Sequence, residues 1–336
     1  MKDLLKNKKI LYLYTGDHLL HRRFAESIGA DINKISWKIP KNYDIYFVEG
    51  DYVKIVMMKK LGKINRNSKI IVLMSDPRLF YLNSLHRFDT KKKEVIRTST
   101  TKKIIAKKFL NQLDGVICVG KFEKSLFRKL NKTVPIKIVS PFIRRELYDE
   151  LLSINPNLNN KNILFIGSGP DYHYKGIDIL IEVFKELRKK YPEVQLKIVG
   201  KWKVDPSWNI DGISFEGEQK NIFKYMQEIS LYLHLARGEA YGLTIIESMI
   251  AGLPCIVSNI TGAKEAVKEV APDFIVPLKK EKIIPTIEKY FESSLSEKKI
   301  LSRKFRKNAE KFNEKDVLKF FKKQFEKLIE EIYNEK

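Results

Sequence analysis

RGEAYGLTIIESMIAGLPCIVSN, residues 237–259, joins two kinds of local order within a single stretch. The residues before it, ISLYLHLA (229–236), form an apolar strand, and RGEAYG makes a loop with two glycines. LTIIESMIAG then reads as a short helix closed by Gly252 and Pro254, and LPCIVSN (253–259) is the next strand. Apolar strands separated by helices belong to a parallel sheet covered on both faces. The spacing puts Glu239 at the carboxyl end of a strand and Glu247 in the first turns of the helix. Between them, the backbone amides of Tyr241, Gly242, Leu243 and Thr244 gather at the helix N-terminus.

The same alternation extends in both directions. Strand-like runs occur at 8–16, 44–50, 69–76, 114–120 and 135–141, with charged helical stretches between them. SINPNLNNKN (153–162) is polar, bears a proline and has no period, which reads as a linker. Beyond it the alternation restarts with NILFIGSG (162–169), VQLKIVGKW (194–202) and GISFEG (212–217). The expected fold is therefore α/β, two Rossmann-like doubly wound domains, 1–152 and 161–336. The second would end in an amphipathic helix carrying Leu318, Phe321, Phe325, Leu328 and Ile332 on one stripe. Doubly wound sheets bind ligands beyond the carboxyl ends of their strands, so a cleft between the two domains is the expected site.

A chain of 336 residues suits two domains of about 150 residues each. Its 43% hydrophobic and 31% charged content is that of a soluble globular protein. No apolar run reaches the roughly 20 residues that span a bilayer, and MKDLLKNKKILYLYTG has no cleavage-site pattern. Cys118 and Cys255 lie in apolar strand runs, as buried free thiols of a reducing compartment do, and the cytoplasm is the expected location. The net charge of +23 suits nucleic acid, anionic lipid or a phosphorylated substrate. Enrichment in Lys, Glu and Ile also marks proteins of very hot habitats, so charge alone selects no function.

A second motif lies at the start of the second half. In FIGSGPDYHYKGIDILIEVF (165–184) a strand ends in Gly167-Ser168-Gly169, and Lys175-Gly176 opens a helix. Glycines let the backbone approach an anion, the helix start offers free amides, and lysine adds a full charge, so a diphosphate fits there. The order of residues is not that of a Walker loop, and a plain strand–loop–helix turn explains the motif equally. Two carboxylates flanking an amide nest suit a phosphosugar, with hydroxyls on the carboxylates and phosphate on the amides. The alternative is that Glu239 caps the helix and Glu247 is a solvated helix residue.

EAYGLTIIESMIAGLPCIVSNITGAKEAV resembles the donor-site motif of family 4 glycosyltransferases of the GT-B fold. That motif is Glu-x7-Glu, then Gly-x-Pro, then a Gly before another Glu. Glu239, Glu247, Gly252, Pro254, Gly262 and Glu265 match in order. The resemblance covers both domains in layout and is specific from about 162 to 267. It implies that Glu247 binds the ribose of a nucleotide sugar and that Glu239 holds hydroxyls of the transferred sugar. The amides around Tyr241, Gly242 and Leu243, with Thr244, would contact sugar and diphosphate. Lys175 matches the lysine of the family's Arg…Lys-Gly pair, which neutralises the leaving diphosphate; Ser168 stands where the arginine would be, and Arg237 is a nearby substitute. With Lys175 and helix amides supplying positive field, no metal and no cofactor are implied. No metal-ligand spacing is seen in the sequence either.

The resemblance also gives the first domain the acceptor. Its loop TGDHLLHRR (15–23) would bring Gly16 to the phosphates or sugar. Where many members carry a histidine after the fourth strand this chain has Ser75-Asp76, which leaves His18 and His86 as alternatives, with His173 and His234 read as structural. TKKKEVIRTSTTKKIIAKKFL (90–110) looks like a basic helix. Lys92, Lys93, Lys103, Lys107 and Arg97 could meet anionic lipid on the inner face of the cell membrane, or form a solvated face.

The expected function is thus a retaining, metal-independent hexosyltransferase that uses a nucleotide diphosphate sugar and a glycan or lipid-linked acceptor. One rival is a non-catalytic, basic nucleic-acid-binding protein, for which the sequence offers neither stacking platforms nor a binding module. Another is a sugar-nucleotide hydrolase or epimerase on the same scaffold. Nucleobase, sugar and acceptor are not legible.

Overall fold

A computed structural model describes residues 5, 7–16, 18–75, 87–89, 94–96, 100–169 and 172–334, with backbone only at 87–89, 94–96, 100, 102–103 and 105–106. The chain divides into two compact units, Met1–Ser84 with Arg97–Phe142 and Glu314–Lys336, and Leu85–Ile96 with Ile143–Asn313.

The first unit holds strands β1 (Ile10–Tyr14), β2 (Asp31–Lys34), β3 (Ile45–Glu49) and β4 (Lys69–Met74). After a two-stranded antiparallel pair, β5 (Arg87–Asp89) and β6 (Glu94–Ile96), which groups with the second unit, come β7 (Gly115–Cys118) and β8 (Ile136–Ile138). Among the described residues they form a parallel sheet in the order β2-β1-β3-β4-β7-β8. β3 is buried along its whole length, as a central strand covered on both faces must be, whereas β2 is half-exposed at the edge. Helices α1 (Leu19–Ser27), α2 (Tyr52–Lys60), α3 (Thr100–Leu110) and α4 (Lys121–Arg128) connect them. The strand order reverses between β1 and β3, where Tyr14 and Glu49 stand in register at the carboxyl ends.

The second unit repeats the pattern. It contains α5 (Arg145–Leu152), β9 (Ile163–Ile166), α6 (Ile177–Lys190), β10 (Leu196–Val199), β11 (Ile213–Gly217), α7 (Phe223–Gln227), β12 (Leu231–His234), α8 (Leu243–Ile250), β13 (Cys255–Ser258), α9 (Lys264–Lys268), β14 (Ile275–Val276), α10 (Lys280–Glu292) and α11 (Leu295–Ala309). Its parallel sheet runs β11-β10-β9-β12-β13-β14. Each six-stranded parallel sheet with its helices is a doubly wound α/β unit, as expected from the sequence.

The boundaries differ from the expected 1–152 and 161–336. The last helix, α12 (Glu314–Asn334), belongs to the first unit and not the second. Its apolar stripe explains why: Phe321 packs 4.5 Å from Phe24 and Phe325 packs 5.4 Å from Phe47, ring centre to ring centre, while Glu331 pairs with Lys137. The polar run at 153–162 is no linker but lies inside the second unit. Asn157 N–H donates to the Gln227 carbonyl at 2.9 Å, and the Asn160 amide donates to the Glu228 carbonyl at 2.9 Å. Asparagines that satisfy backbone groups look, in sequence, like the asparagines of a flexible tether.

The stretch 90–110 is not one helix, because β6 occupies Glu94–Ile96 and α3 starts at Thr100. Lys92, Lys93 and Arg97 lie outside the described residues, as do Asp76, His86 and the Lys103 side chain. Lys107 is exposed. Cys118 and Cys255 are buried free thiols, and burial pushes both well above the usual thiol range. No described helix is long and apolar enough to cross a membrane.

Candidate functional site

The site is built at the carboxyl ends of β9 and β12. β12 ends at His234, and the chain then turns through 235–242 into α8. Gly242 caps that helix at φ 92°, a conformation that L side chains rarely adopt, and a Cβ there would lie 2.8 Å from Ile245 Cδ1. The turn is fastened from its far side. Glu239 N–H donates to the Ile260 carbonyl at 3.2 Å, and the Glu239 carbonyl accepts from Gly262 N–H at 3.0 Å. The Tyr241 carbonyl accepts from Ala263 N–H at 2.8 Å and from the Thr261 hydroxyl at 3.1 Å. Gly262 is required for this clasp, since a Cβ would stand 2.0 Å from the Ala240 carbonyl oxygen.

At the other end of α8, Arg306 donates to the carbonyls of Ala251 at 2.9 Å, Ile154 at 2.6 Å and Leu152 at 3.1 Å. A cation on open carbonyls is favourable against the helix dipole and holds the helix that carries Glu247.

Glu239 and Lys175 meet. Lys175 Nζ lies 2.5 Å from Glu239 Oε2, with side chains 22% and 15% exposed. His234 Nε2 lies 3.6 Å from the same oxygen. Burial pulls the Glu239 carboxyl upward, but His234 and Lys175 outweigh it and hold it down at about 2, so it is ionised at neutral pH. Lys175 is delivered by the turn before α6, whose cap Gly176 (φ 73°) packs so closely on the chain leaving β12 that a Cβ would fall 1.9 Å from the Leu235 carbonyl oxygen.

Glu247 is half-buried on α8, and its carboxylate has no hydrogen-bond partner among the described residues. Burial pushes it up to about 7, with Arg144 offsetting a part. Gly167, Ser168 and Gly169 follow β9, and the Ser168 hydroxyl accepts from Lys201 N–H at 2.9 Å. Ser168 thus ties its loop to the next strand's turn. Arg237 is committed elsewhere: its guanidinium grips Asp178 on α6 at 2.7 and 2.8 Å and donates to the His173 carbonyl at 2.5 Å. His173 itself lies 3.2 Å from Asp178.

Tyr241 is buried, with its ring centre 6.1 Å from that of Phe312. Leu243 and Thr244 open α8, where the first amides have no carbonyl a turn behind to bond. The Thr244 hydroxyl lies 2.8 Å from the Tyr232 hydroxyl. Gly16 follows β1 in the first unit, and a Cβ there would make only an ordinary contact with the His18 ring at 3.5 Å.

One cluster escaped the sequence reading. At the reversal point of the first sheet Glu49 is buried, with one carboxylate oxygen on the Tyr12 hydroxyl and the other 2.5 Å from His21 Nδ1. His18, the candidate from sequence, is 65% exposed and 4.0 Å from Glu49. The available signal was a carboxylate closing the apolar run DIYFVEG.

Residues 150–312 match the sequence model described as Glycosyl transferases group 1. An uncharacterized glycosyltransferase of Haemophilus influenzae is 27% identical over 262 residues, 73% of this chain and 70% of that one. Among solved structures, HepE of Anabaena, in complex with UDP and glucose, superposes with a TM-score of 0.67 at 15% identity over 96% of this chain and 99% of its own. Sucrose-phosphate synthase of Thermosynechococcus elongatus superposes with a TM-score of 0.71, at 15% identity and the same coverage. The chain therefore has the GT-B fold, and Lys175, Glu239 and Glu247 all lie in the segment 150–312 that matches the glycosyl transferases group 1 model.

Proposed function

We propose that the protein is a retaining glycosyltransferase that moves a hexose from a nucleotide diphosphate sugar to a glycan or lipid-linked acceptor. The observation that carries this reading is the Lys175–Glu239 pair, held at 2.5 Å beside the open amides of α8. An ionised carboxylate for sugar hydroxyls, a lysine for a leaving diphosphate and a helix start for a further anionic oxygen are the parts glycosyl transfer needs.

As the bond from the anomeric carbon to the diphosphate breaks, its electron pair leaves with the diphosphate and the carbon becomes cationic. Lys175 and the Leu243 and Thr244 amides stabilise the first charge; Glu239 stabilises the second. The acceptor oxygen bonds the carbon from the face the diphosphate leaves, and a diphosphate oxygen takes the acceptor proton. This sequence needs no base from the protein, and Lys175 takes the place a metal would hold. Glu247, about one turn along α8, serves the ribose.

We assign the acceptor to the first unit and keep an anionic membrane surface as a partner. On α3, Ile104 is 64% exposed and Lys107 is exposed too, which suits a peripheral protein on the cytoplasmic face.

The test is a melting-temperature screen against UDP, GDP and their sugars, followed by product analysis by NMR with and without acceptor. The reading stands if one sugar nucleotide stabilises the protein and its anomeric configuration survives transfer. Release of free sugar irrespective of acceptor supports the hydrolase alternative, and no stabilisation by any nucleotide removes the donor site.

A further inference from the structure

His234 closes β12 and is 1% exposed. Its ring is stacked against Phe165 (centroids 5.4 Å apart, planes at 28°) and lies 6.1 Å from Tyr232 at 25°. An apolar side chain would fill such a slot without the cost of burying two ring nitrogens. The imidazole has two polar neighbours. Nδ1 faces the Tyr232 hydroxyl at 3.3 Å, and Nε2, which has no hydrogen-bond partner among the described residues, faces Glu239 Oε2 at 3.6 Å. Burial pushes the imidazole down from its ordinary range, which favours the neutral ring. A neutral ring beside a carboxylate carries its proton on Nε2 and turns its lone pair to the tyrosine hydroxyl.

The carboxylate is used asymmetrically. Lys175 and His234 both converge on Oε2, while Oε1 has no partner among the described residues. Lys175 cannot hold Oε2 and neutralise a diphosphate with equal strength. When the anion draws the lysine away, His234 is the donor that remains on Oε2.

We propose that His234 is a positioning residue, which anchors one oxygen of Glu239 so that the other stays aimed at the hydroxyls of the donor sugar. The proposal rests on the donor-site reading above and concerns the sugar alone. Tyr232, whose hydroxyl lies 3.3 Å from His234 Nδ1 and 2.8 Å from the Thr244 hydroxyl, holds the imidazole from its other side.

The experiment compares the affinity for UDP with that for UDP-glucose and UDP-N-acetylglucosamine by calorimetry, in wild type, His234→Leu and His234→Gln. Leucine fills the slot without a donor, and glutamine restores one. The sugar that wild type binds better than UDP alone is the probe. His234→Leu is expected to lose about tenfold or more of that sugar-dependent gain, a charge-assisted contact being worth that much, with UDP affinity unchanged within about twofold. His234→Gln is expected to recover most of it. If UDP and the UDP-sugar weaken together in step with the melting temperature, His234 is a packing residue and the proposal falls. It also falls if His234→Leu keeps the full gain. A wild type that binds UDP but gains nothing from any sugar overturns it as well, because Glu239 then holds no sugar. A wild type that binds no nucleotide removes the donor site itself, which is a separate failure.

Discussion

Replacing Glu247 by Gln is expected to stabilise the protein while weakening its grip on the donor. Glu247 is half-buried without a hydrogen-bond partner among the described residues, and burial pushes its carboxyl from 4.5 up to about 7. Between those two values the folded protein holds a proton that the unfolded chain has released. Stability therefore falls as pH rises through this window, and the full cost is present above about pH 7. A shift from 4.5 to about 7, at about 1.4 kcal/mol per pH unit, sets a ceiling of roughly 3 kcal/mol, and solvent reaching the half-exposed group brings it to about 1–3. Glutamine has the same shape and never ionises. The stability gain of Glu247→Gln should thus be small near pH 4.5 and reach about 1–3 kcal/mol by pH 8. Urea unfolding at several pH values measures it, followed by tryptophan fluorescence in a Trp37→Phe background so that Trp202 and Trp208 report the second unit. A gain that is the same at pH 5 and pH 8.5, or no gain at all, refutes the reasoning. Donor KM in the same variant should rise, because glutamine offers the ribose one neutral acceptor oxygen where the carboxylate offers two charged ones.

Four further outcomes are expected. Glu247→Ala should raise donor KM more than it lowers kcat, since the ribose is present equally in ground and transition states; steady-state donor titration decides. Glu239→Gln should lower kcat about 100-fold or more with donor affinity within about tenfold, as charge develops only in the transition state; near-wild-type kinetics in both variants would remove the glycosyltransferase reading. Activity should survive EDTA, and complete loss restored by magnesium or manganese would overturn the role given to Lys175. Glutamine at Lys92, Lys93, Lys103 and Lys107 should abolish salt-sensitive binding to anionic vesicles, each lysine near such a surface being worth about 1 kcal/mol; unchanged sedimentation would leave the stretch a solvated face.

Buried parallel strands announce themselves as apolar runs, so Ile45–Glu49, Lys69–Met74, Ile163–Ile166 and Leu231–His234 are all legible in the sequence. β2 was not, because DINK sits at a sheet edge where one side chain in two or more meets water and no apolar run is needed. The glycine turns that deliver Lys175 and open α8 were visible from spacing alone, since positive φ at Gly176 and Gly242 restricts the residue type. His234 and the Glu49–His21 contact were not visible. Both depend on which side chains from separate strands share one end of a sheet, a three-dimensional fact with no period in the sequence. The misplaced boundary has the same origin: an amphipathic stripe at 318–332 states that a helix needs an apolar partner, but not which sheet provides it.

That last helix sets an order of assembly. The first unit is made of segments lying on both sides of the second in the chain, so its sheet stays without the cover of Phe321 and Phe325 until residues 314–334 have been synthesised. The segment Ile143–Asn313, with every strand of its own sheet, is synthesised before that helix begins. During translation the half with the candidate donor site is thus free to fold while the half begun first still exposes Phe24 and Phe47, and a chain stopped after residue 313 would carry that exposed surface permanently.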